Sequence, residues 1–253
     1  MNASLNDLQR LAETAAAQVA RILKRDLRYL VGTAVEQGRD IKLLADARAD
    51  EVLHQLLAPT GLPILSEERP WTAPNGHTRR FWVVDPLDGS LNYSRGFPQY
   101  AVSIALWEGE RSLLGVIYDI DRDECHSGQV GQGAATNGVA FHVSTIDSVG
   151  RAVLATGFPT GRPFDTASLA GFVDAVQSFK KIRMIGSAAL SLVNVATGRF
   201  DAYAERDIWL WDVAAGLALV EAAGGKVARS DVASDWKLNV AAWNGRFDLR
   251  CAW

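Results

Sequence analysis

Cysteine is nearly absent from this chain. Only Cys125 and Cys251 occur in 253 residues, too few for a disulfide scaffold and without the Cys-x-x-Cys spacing of zinc or redox sites. Both are read as free thiols. Long apolar runs are missing as well. No window approaches the roughly 18 uncharged apolar residues that mark a membrane-spanning helix, and the opening MNASLNDLQRLAE lacks the basic-then-apolar layout of a secretory signal. The expectation is a cytoplasmic protein with no membrane partner. Excess positive charge is lacking too, because 26 Lys plus Arg face 29 Asp plus Glu for a net charge of −3. A nucleic-acid partner held by a basic field is therefore not expected, and no aromatic cluster interleaved with basic residues suggests single-strand stacking. His54, His77, His126 and His142 show no HxH or HExxH spacing, and Gly131 and Gly133 belong to no GxxxxGK phosphate loop. What remains is a chain 48% hydrophobic and 22% charged, long enough for a sizeable core without staples.

Apolar periodicity predicts a helix over 4–30, opened by Ser4 and Asp7 as a capping box. A loop is expected around Gly32 to Gly38, then a second helix from Ala45 to Leu57 that Pro59 and Gly61 end. LPIL (62–65) and FWVV (81–84) read as short buried strands, each running into acids. Residues 100–107 and 111–120 read as a hairpin turning at Glu108–Glu110, followed by a glycine-rich stretch with tight turns near a third strand. Beyond residue 150 the pattern alternates. Strands are expected in RAVLATGF, KIRMIG, FDAYAE, KVAR and LNVAAW, and helices near 165–179, 187–197 and 213–223. This predicts an α/β fold in two subdomains, 1–150 and 151–253, that share an interface. Trp82, Trp107, Trp209 and Trp243 are expected in the core.

The chemistry concentrates in Asp85-Pro86-Leu87-Asp88-Gly89-Ser90. An apolar strand runs into two carboxylates three residues apart, and strand ends are where α/β folds place ligands. Two acids this close repel unless a cation lies between them. Oxygen ligands of this kind suit Mg²⁺, which is held by few carboxylates plus waters and phosphate oxygens. Gly89 and Ser90 allow close backbone approach, and a helical turn starting there would offer N–H groups to phosphate. A proline turn with aspartates as turn formers explains the hexapeptide equally well when it is taken alone. Glu67-Glu68 also follows a short strand, Asp46 stands near the start of the second helix, and Asp212 precedes the alanine-rich segment 213–223 as a candidate cap.

Together SEE (66–68), DPLDGSLNY (85–93), RMIGSAAL (183–190) and WDVAAGLALVEAAGG (211–225) resemble the inositol monophosphatase family of lithium-sensitive, magnesium-dependent phosphatases. DPxDG(S/T)xN followed more than a hundred residues later by WDxAAG is a specific combination, and the likeness covers nearly the whole chain. It implies a five-layered α-β-α-β-α fold and a set of roles. Glu67, Asp85 and the Leu87 carbonyl would hold one Mg²⁺, and Asp85, Asp88 and Asp212 a second. A weaker third ion would sit near Glu67. Glu67 and the Ser90 hydroxyl would orient the attacking water, while Asp88, Gly89, Ser90 and Asp212 would meet the phosphorylated substrate. Gly186 and Ala188 would line the polyol pocket, with Glu205 accepting hydrogen bonds from polyol hydroxyls. A small phosphorylated substrate and a homodimer are implied as partners.

The resemblance points to hydrolysis of inositol monophosphate or a similar polyol or sugar phosphate. The alternatives are 3′(2′),5′-bisphosphate nucleotidase or fructose-1,6-bisphosphatase activity, and a regulatory or binding protein on a phosphatase fold. Three departures stand out. Leu43 occupies a position where the family usually has threonine. Residues 32–40 do not align with the family's lysine-bearing loop. Ser90 replaces the commoner threonine but keeps the hydroxyl.

Overall fold

Ser4 and Asp7 cap one another at the start of the chain: the Asp7 N–H donates to Ser4 Oγ and the Ser4 N–H to Asp7 Oδ2, each at 3.2 Å. In the computed structural model, which describes residues 3–30, 34–37, 40–69, 71, 79–158 and 166–249, this box opens α1 (Leu5–Leu30). The expected loop carries a short strand, β1 (Ala34–Gln37), paired antiparallel with β2 (Asp40–Leu43). Residues 31–33, 38 and 39 lie outside the described residues, as do His77 and Cys251. α2 (Leu44–Leu57) follows.

A seven-stranded sheet comes next. It consists of β3 (Ile64–Ser66), β4 (Arg80–Asp88), β5 (Ala101–Glu108), β6 (Arg111–Asp119), β7 (Glu124–Gln129), β8 (Gly133–Thr136) and β9 (Val139–Ala140), in that order across the sheet. A short helix, α3 (Ser90–Ser94), links β4 to β5. The first pair of strands is parallel and the rest antiparallel. The second sheet alternates with helices as expected: β10 (Val153–Ala155), α4 (Thr166–Ser178), β11 (Lys181–Arg183), α5 (Ala188–Ala196), β12 (Ala202–Trp209), α6 (Leu210–Ala222), β13 (Lys226–Arg229) and β14 (Lys237–Trp243). Its strand order is β11-β10-β12-β14-β13, parallel at the first two pairings and antiparallel at the others.

The layers follow from period-two alternation along the strands. Trp82, Val84, Val102, Ile104, Leu106, Leu114 and Val116 face outward onto α1 and α2. Val83, Ala101, Ala105, Trp107 and Ile117 face inward onto α5 and α6, whose far sides meet Tyr203, Leu238, Val240 and Ala242 of the second sheet. The other face of that sheet, with Leu154, Ala202, Ala204 and Ala241, packs on Ala175 and Phe179 at the end of α4. The five layers are thus helix, sheet, helix, sheet and helix. Trp82 and Trp107 are core residues and Trp243 packs on the outermost cluster. Trp209 is not a core residue. Its ring stacks on Trp211 at 5.8 Å between centroids and lies under Lys237 Nζ at 4.7 Å, because it stands at the strand-to-helix junction instead of within a face.

The central helix α6 is buried from Val213 to Val220, as an apolar helix between two sheets must be. It begins at Leu210, three residues before the expected start. Small residues let its backbone approach β6. A Cβ at Gly115 would collide with the Ala215 carbonyl, one at Gly216 with Leu192, and the Ser112 hydroxyl donates to the Ala214 carbonyl at 2.7 Å. Gly115→Ala is expected to destabilise the fold by about 1–3 kcal/mol through overpacking, read as a lower urea midpoint at unchanged slope.

Candidate functional site

Asp85 and Asp88 are three residues apart, which on a regular strand would place them on opposite faces. The pairing explains how they meet. Asp85 stands opposite Ser103 and Asp88 opposite Ala101, so β4 spends one extra residue between them. This bulge at Pro86–Leu87 returns both carboxylates to one face, and proline is tolerated there because a bulge releases it from the ladder. The strand therefore continues through both acids and does not stop at Val84. The Leu87 N–H donates to Asp85 Oδ1 at 2.9 Å.

Glu67 reaches the same place from the turn after β3, which runs parallel to β4 with Ser66 opposite Val84. The turn is closed by a bridge between Ser66 and Arg69. Asp50 of α2, 2% exposed, grips both ends: Oδ1 accepts from the Ser66 hydroxyl and Oδ2 from Arg69 Nε, with His54 Nε2 3.5 Å from Oδ1. Asp212 arrives from α6. It is not the cap residue, since Trp209 holds that position. It sits in the first turn, and its carboxylate reaches back to the Trp209 backbone N–H, the reciprocal half of a capping box. Each of Glu67, Asp85 and Asp212 thereby offers one oxygen, and the three oxygens lie within 4.8 Å of one another.

Burial, and then the charges of Glu67, Asp88 and Asp212, push the Asp85 carboxyl well above the usual carboxylate range. Burial does the same to Asp212, reinforced by Glu67, Asp88 and Glu205. A set of hard oxygen donors that repel one another and are short of positive charge fits a divalent cation such as Mg²⁺.

Asp88 is held differently. It accepts from the Ser187 hydroxyl and from the Ala188 and Ala189 N–H groups at 3.2 and 3.1 Å, which seats it on the N-terminus of α5. Burial raises it to about 6 against the opposing pull of these donors. The Ser90 hydroxyl lies 3.1 Å from Asp46 Oδ1 and 2.9 Å from the Leu87 carbonyl. Gly89, at φ +86°, leaves no room for a side chain, because a Cβ would stand 2.6 Å from the Gln99 carbonyl. Gly186, at φ +70°, lies against the Asn92 amide. That amide donates to Gln99, Ile185 and Gly186 carbonyls at 2.8, 2.8 and 3.1 Å, joining the two halves of the chain. Glu205 is buried and accepts from the Tyr203 hydroxyl at 2.8 Å. Burial lifts it to about 7, opposed by Tyr203 and assisted by Asp88.

The model of the inositol monophosphatase family matches residues 4–245. The chain belongs to that family. An inositol-1-monophosphatase of Caulobacter vibrioides is 36% identical over 224 residues, 86% of this chain and 87% of its own. The Nus factor SuhB of Pseudomonas aeruginosa is 34% identical over 236 residues, 90% of this chain and 86% of its own. Among solved structures, inositol monophosphatase from Anabaena (Nostoc) superposes with a TM-score of 0.83 at 32% identity, covering 96% of this chain and 92% of that one. As a family member the chain is a phosphoric monoester hydrolase.

Of the residues singled out from the sequence, Glu67, Asp85 and Asp212 converge, Asp88 meets the Ala188 N–H, and Gly89 lies against the Gly186 carbonyl. Asp46, which the sequence placed only near the start of the second helix, is buried against Ser90. Asp50, Ser187, Asn92, Tyr203 and Gly157 were not singled out. Asp50, four residues after Asp46 on α2, carried a readable signal, since that spacing puts both acids on one helix face. Ser187, Asn92 and Gly157 act through contacts between residues far apart in the chain, and Tyr203 through Glu205, two residues along its own strand.

Carboxylates whose folded pKa lies above the unfolded value favour the folded state in acid, and that contribution is lost as pH rises through the folded pKa. For Asp88 and Glu205 the loss falls between the ordinary carboxylate range and about 6 to 7. The metal-free protein is therefore expected to melt at lower temperature near neutral pH than in mild acid. Asp85→Asn should raise the neutral-pH melting temperature of metal-free protein by about 3 °C or more and remove the Mg²⁺-induced rise expected of wild type, both read by calorimetry. Asp50→Asn should loosen the Glu67 turn. The Mg²⁺ concentration giving half of the thermal stabilisation is expected to climb about tenfold, as for other supports of metal ligands.

Proposed function

We propose that the protein is a Mg²⁺-dependent phosphomonoesterase that hydrolyses inositol monophosphate or a similar small polyol or sugar phosphate. The observation that carries this reading is the convergence of Glu67, Asp85 and Asp212 within 4.8 Å beside the Gly89–Ser90 turn. Glu67, Asp85 and the Leu87 carbonyl would hold one ion; Asp85, Asp88 and Asp212 would hold a second, with a weaker third near Glu67. The ions would supply the charge that acidifies a water and stabilises the oxygens of phosphoryl transfer. The chain's own groups provide placement. Asp46 takes the Ser90 hydrogen, which turns the Ser90 oxygen toward a water as an acceptor. The Gly89 and Ser90 N–H groups bind the phosphate. Glu205 accepts from a hydroxyl of the esterified alcohol, next to Gly186 and Ala188. Water forms the new P–O bond as the bond to the alcohol breaks on the opposite side, and the alcohol leaves with a proton; no phosphorylated enzyme is involved. The name of the Caulobacter relative supports the substrate class.

A second reading, a binding role on the same fold, is favoured by the name Nus factor carried by the Pseudomonas relative. One experiment separates the two. Phosphate release is measured over inositol monophosphates, adenosine bisphosphates, fructose bisphosphate and sugar phosphates, with and without Mg²⁺, for wild type and Asp212→Asn. The highest kcat/KM is expected for an inositol monophosphate, only with Mg²⁺, and Asp212→Asn should lower kcat by about 10²-fold or more. A preference for a bisphosphate would replace the substrate assignment, and unchanged turnover in the variant would remove Asp212 from the site. A cellular role that survives Asp212→Asn in full belongs to the binding reading.

A further inference from the structure

Tyr203 is 1% exposed on the inner face of β12, in the cluster between the sheets. Phenylalanine would fill that space equally well, so packing does not require the hydroxyl. What the hydroxyl does is donate to Glu205 Oε2 at 2.8 Å, two residues along the same strand and therefore on the same face. Glu205 stands where β12 departs from its register, at the bulge between Glu205 and Ile208. On its other flank the Thr156 hydroxyl ties the neighbouring chain to the Ala204 carbonyl at 2.7 Å. That tie brings Gly157 so close that a Cβ there would lie 2.5 and 2.8 Å from the two Glu205 carboxylate oxygens. Gly157 is thus needed for clearance.

A buried carboxylate is costly unless it is hydrogen-bonded. Tyr203 supplies one bond and fixes which oxygen receives it. The other oxygen, Oε1, is left to accept from a ligand, and the bare backbone at Gly157 keeps the carboxylate from being pushed aside. Tyr203 also opposes the burial that lifts Glu205 toward neutrality, which keeps it an acceptor.

Building on the phosphatase reading, we propose that Tyr203 is a positioning residue and Gly157 a clearance that together aim Glu205 at a hydroxyl of the substrate alcohol, so that the site selects phosphate esters of polyols over those of aryl alcohols.

The test is steady-state kinetics of wild type, Tyr203→Phe and Gly157→Ala with myo-inositol 1-phosphate and p-nitrophenyl phosphate. In each variant the ratio of kcat/KM for the inositol ester to that for the aryl ester should fall about tenfold, the scale of one hydrogen bond to a charged group. The fall should come from KM of the inositol ester and not from kcat. Gly157→Ala leaves the core tyrosine in place, so it carries the test if Tyr203→Phe fails to fold. A ratio unchanged in the folded variants, or a loss that appears in kcat equally for both esters, overturns the proposal and leaves Tyr203 a structural residue. Wild type that cleaves the aryl ester but not the inositol ester overturns it while the phosphatase reading stands. Wild type that cleaves neither overturns both.

Discussion

The contact of one backbone with another, at Gly115 and Ala215, sets the position of everything that matters in this molecule. α6 lies between two sheets, and Ala215 on α6 facing Gly115 on β6 lets the two backbones meet with no side chain intervening. Closeness of that kind leaves little freedom of height or rotation. Asp212, in the first turn of the same helix, inherits its coordinates from it. The Ser112 hydroxyl on the Ala214 carbonyl and the capping bond from Trp209 fix the remaining degrees of freedom. The candidate site is assembled by packing first and by charge second.

Charge works against the assembly. Asp85 is buried and Asp212 half-buried beside other acids, and both are driven toward the protonated form. The fold tolerates this because each acid is anchored by a donor of its own: the Leu87 N–H for Asp85, the start of α5 for Asp88, the Trp209 N–H for Asp212 and the Tyr203 hydroxyl for Glu205. Glu67 comes from an exposed turn that Asp50 holds from below. None of these donors cancels a full charge, so the site is left with an unmet demand for a cation. Stability and function pull in opposite directions here, which is common where groups are held ready for chemistry.

Much of this was legible in the sequence, and the residues explain why. Period-two and helical patterns in the strands and helices after residue 150 are local signals, and each was found within a few residues. The acids of 66–68, 85–90 and 211–212 were recognisable as motifs. Bulges were not. Nothing in DPLD announces that an extra residue restores two carboxylates to one face, and nothing in Arg206-Asp207 announces that β12 shifts register there. Trp209 was misjudged because tryptophan usually signals core, whereas this one is held by a ring stack and a lysine. Gly157 was invisible for a different reason: it meets Glu205 across folded space, and no spacing records that, whereas Tyr203, two residues from Glu205 on one strand, was legible in the alternation and went unread.

The Asn92 amide gives the architecture a mechanical character. One side chain on the first half spans the Gln99 carbonyl and two carbonyls of the second half, and a few residues earlier Asp88 is fastened to α5. Shear between the sheets would have to break both fastenings at once, so the halves behave as one welded frame and not as jaws on a hinge. On the phosphatase reading proposed above, discrimination among substrates would fall in such a frame to the few atoms lining the rim, where a single methyl group or hydroxyl redirects preference while the frame stays still.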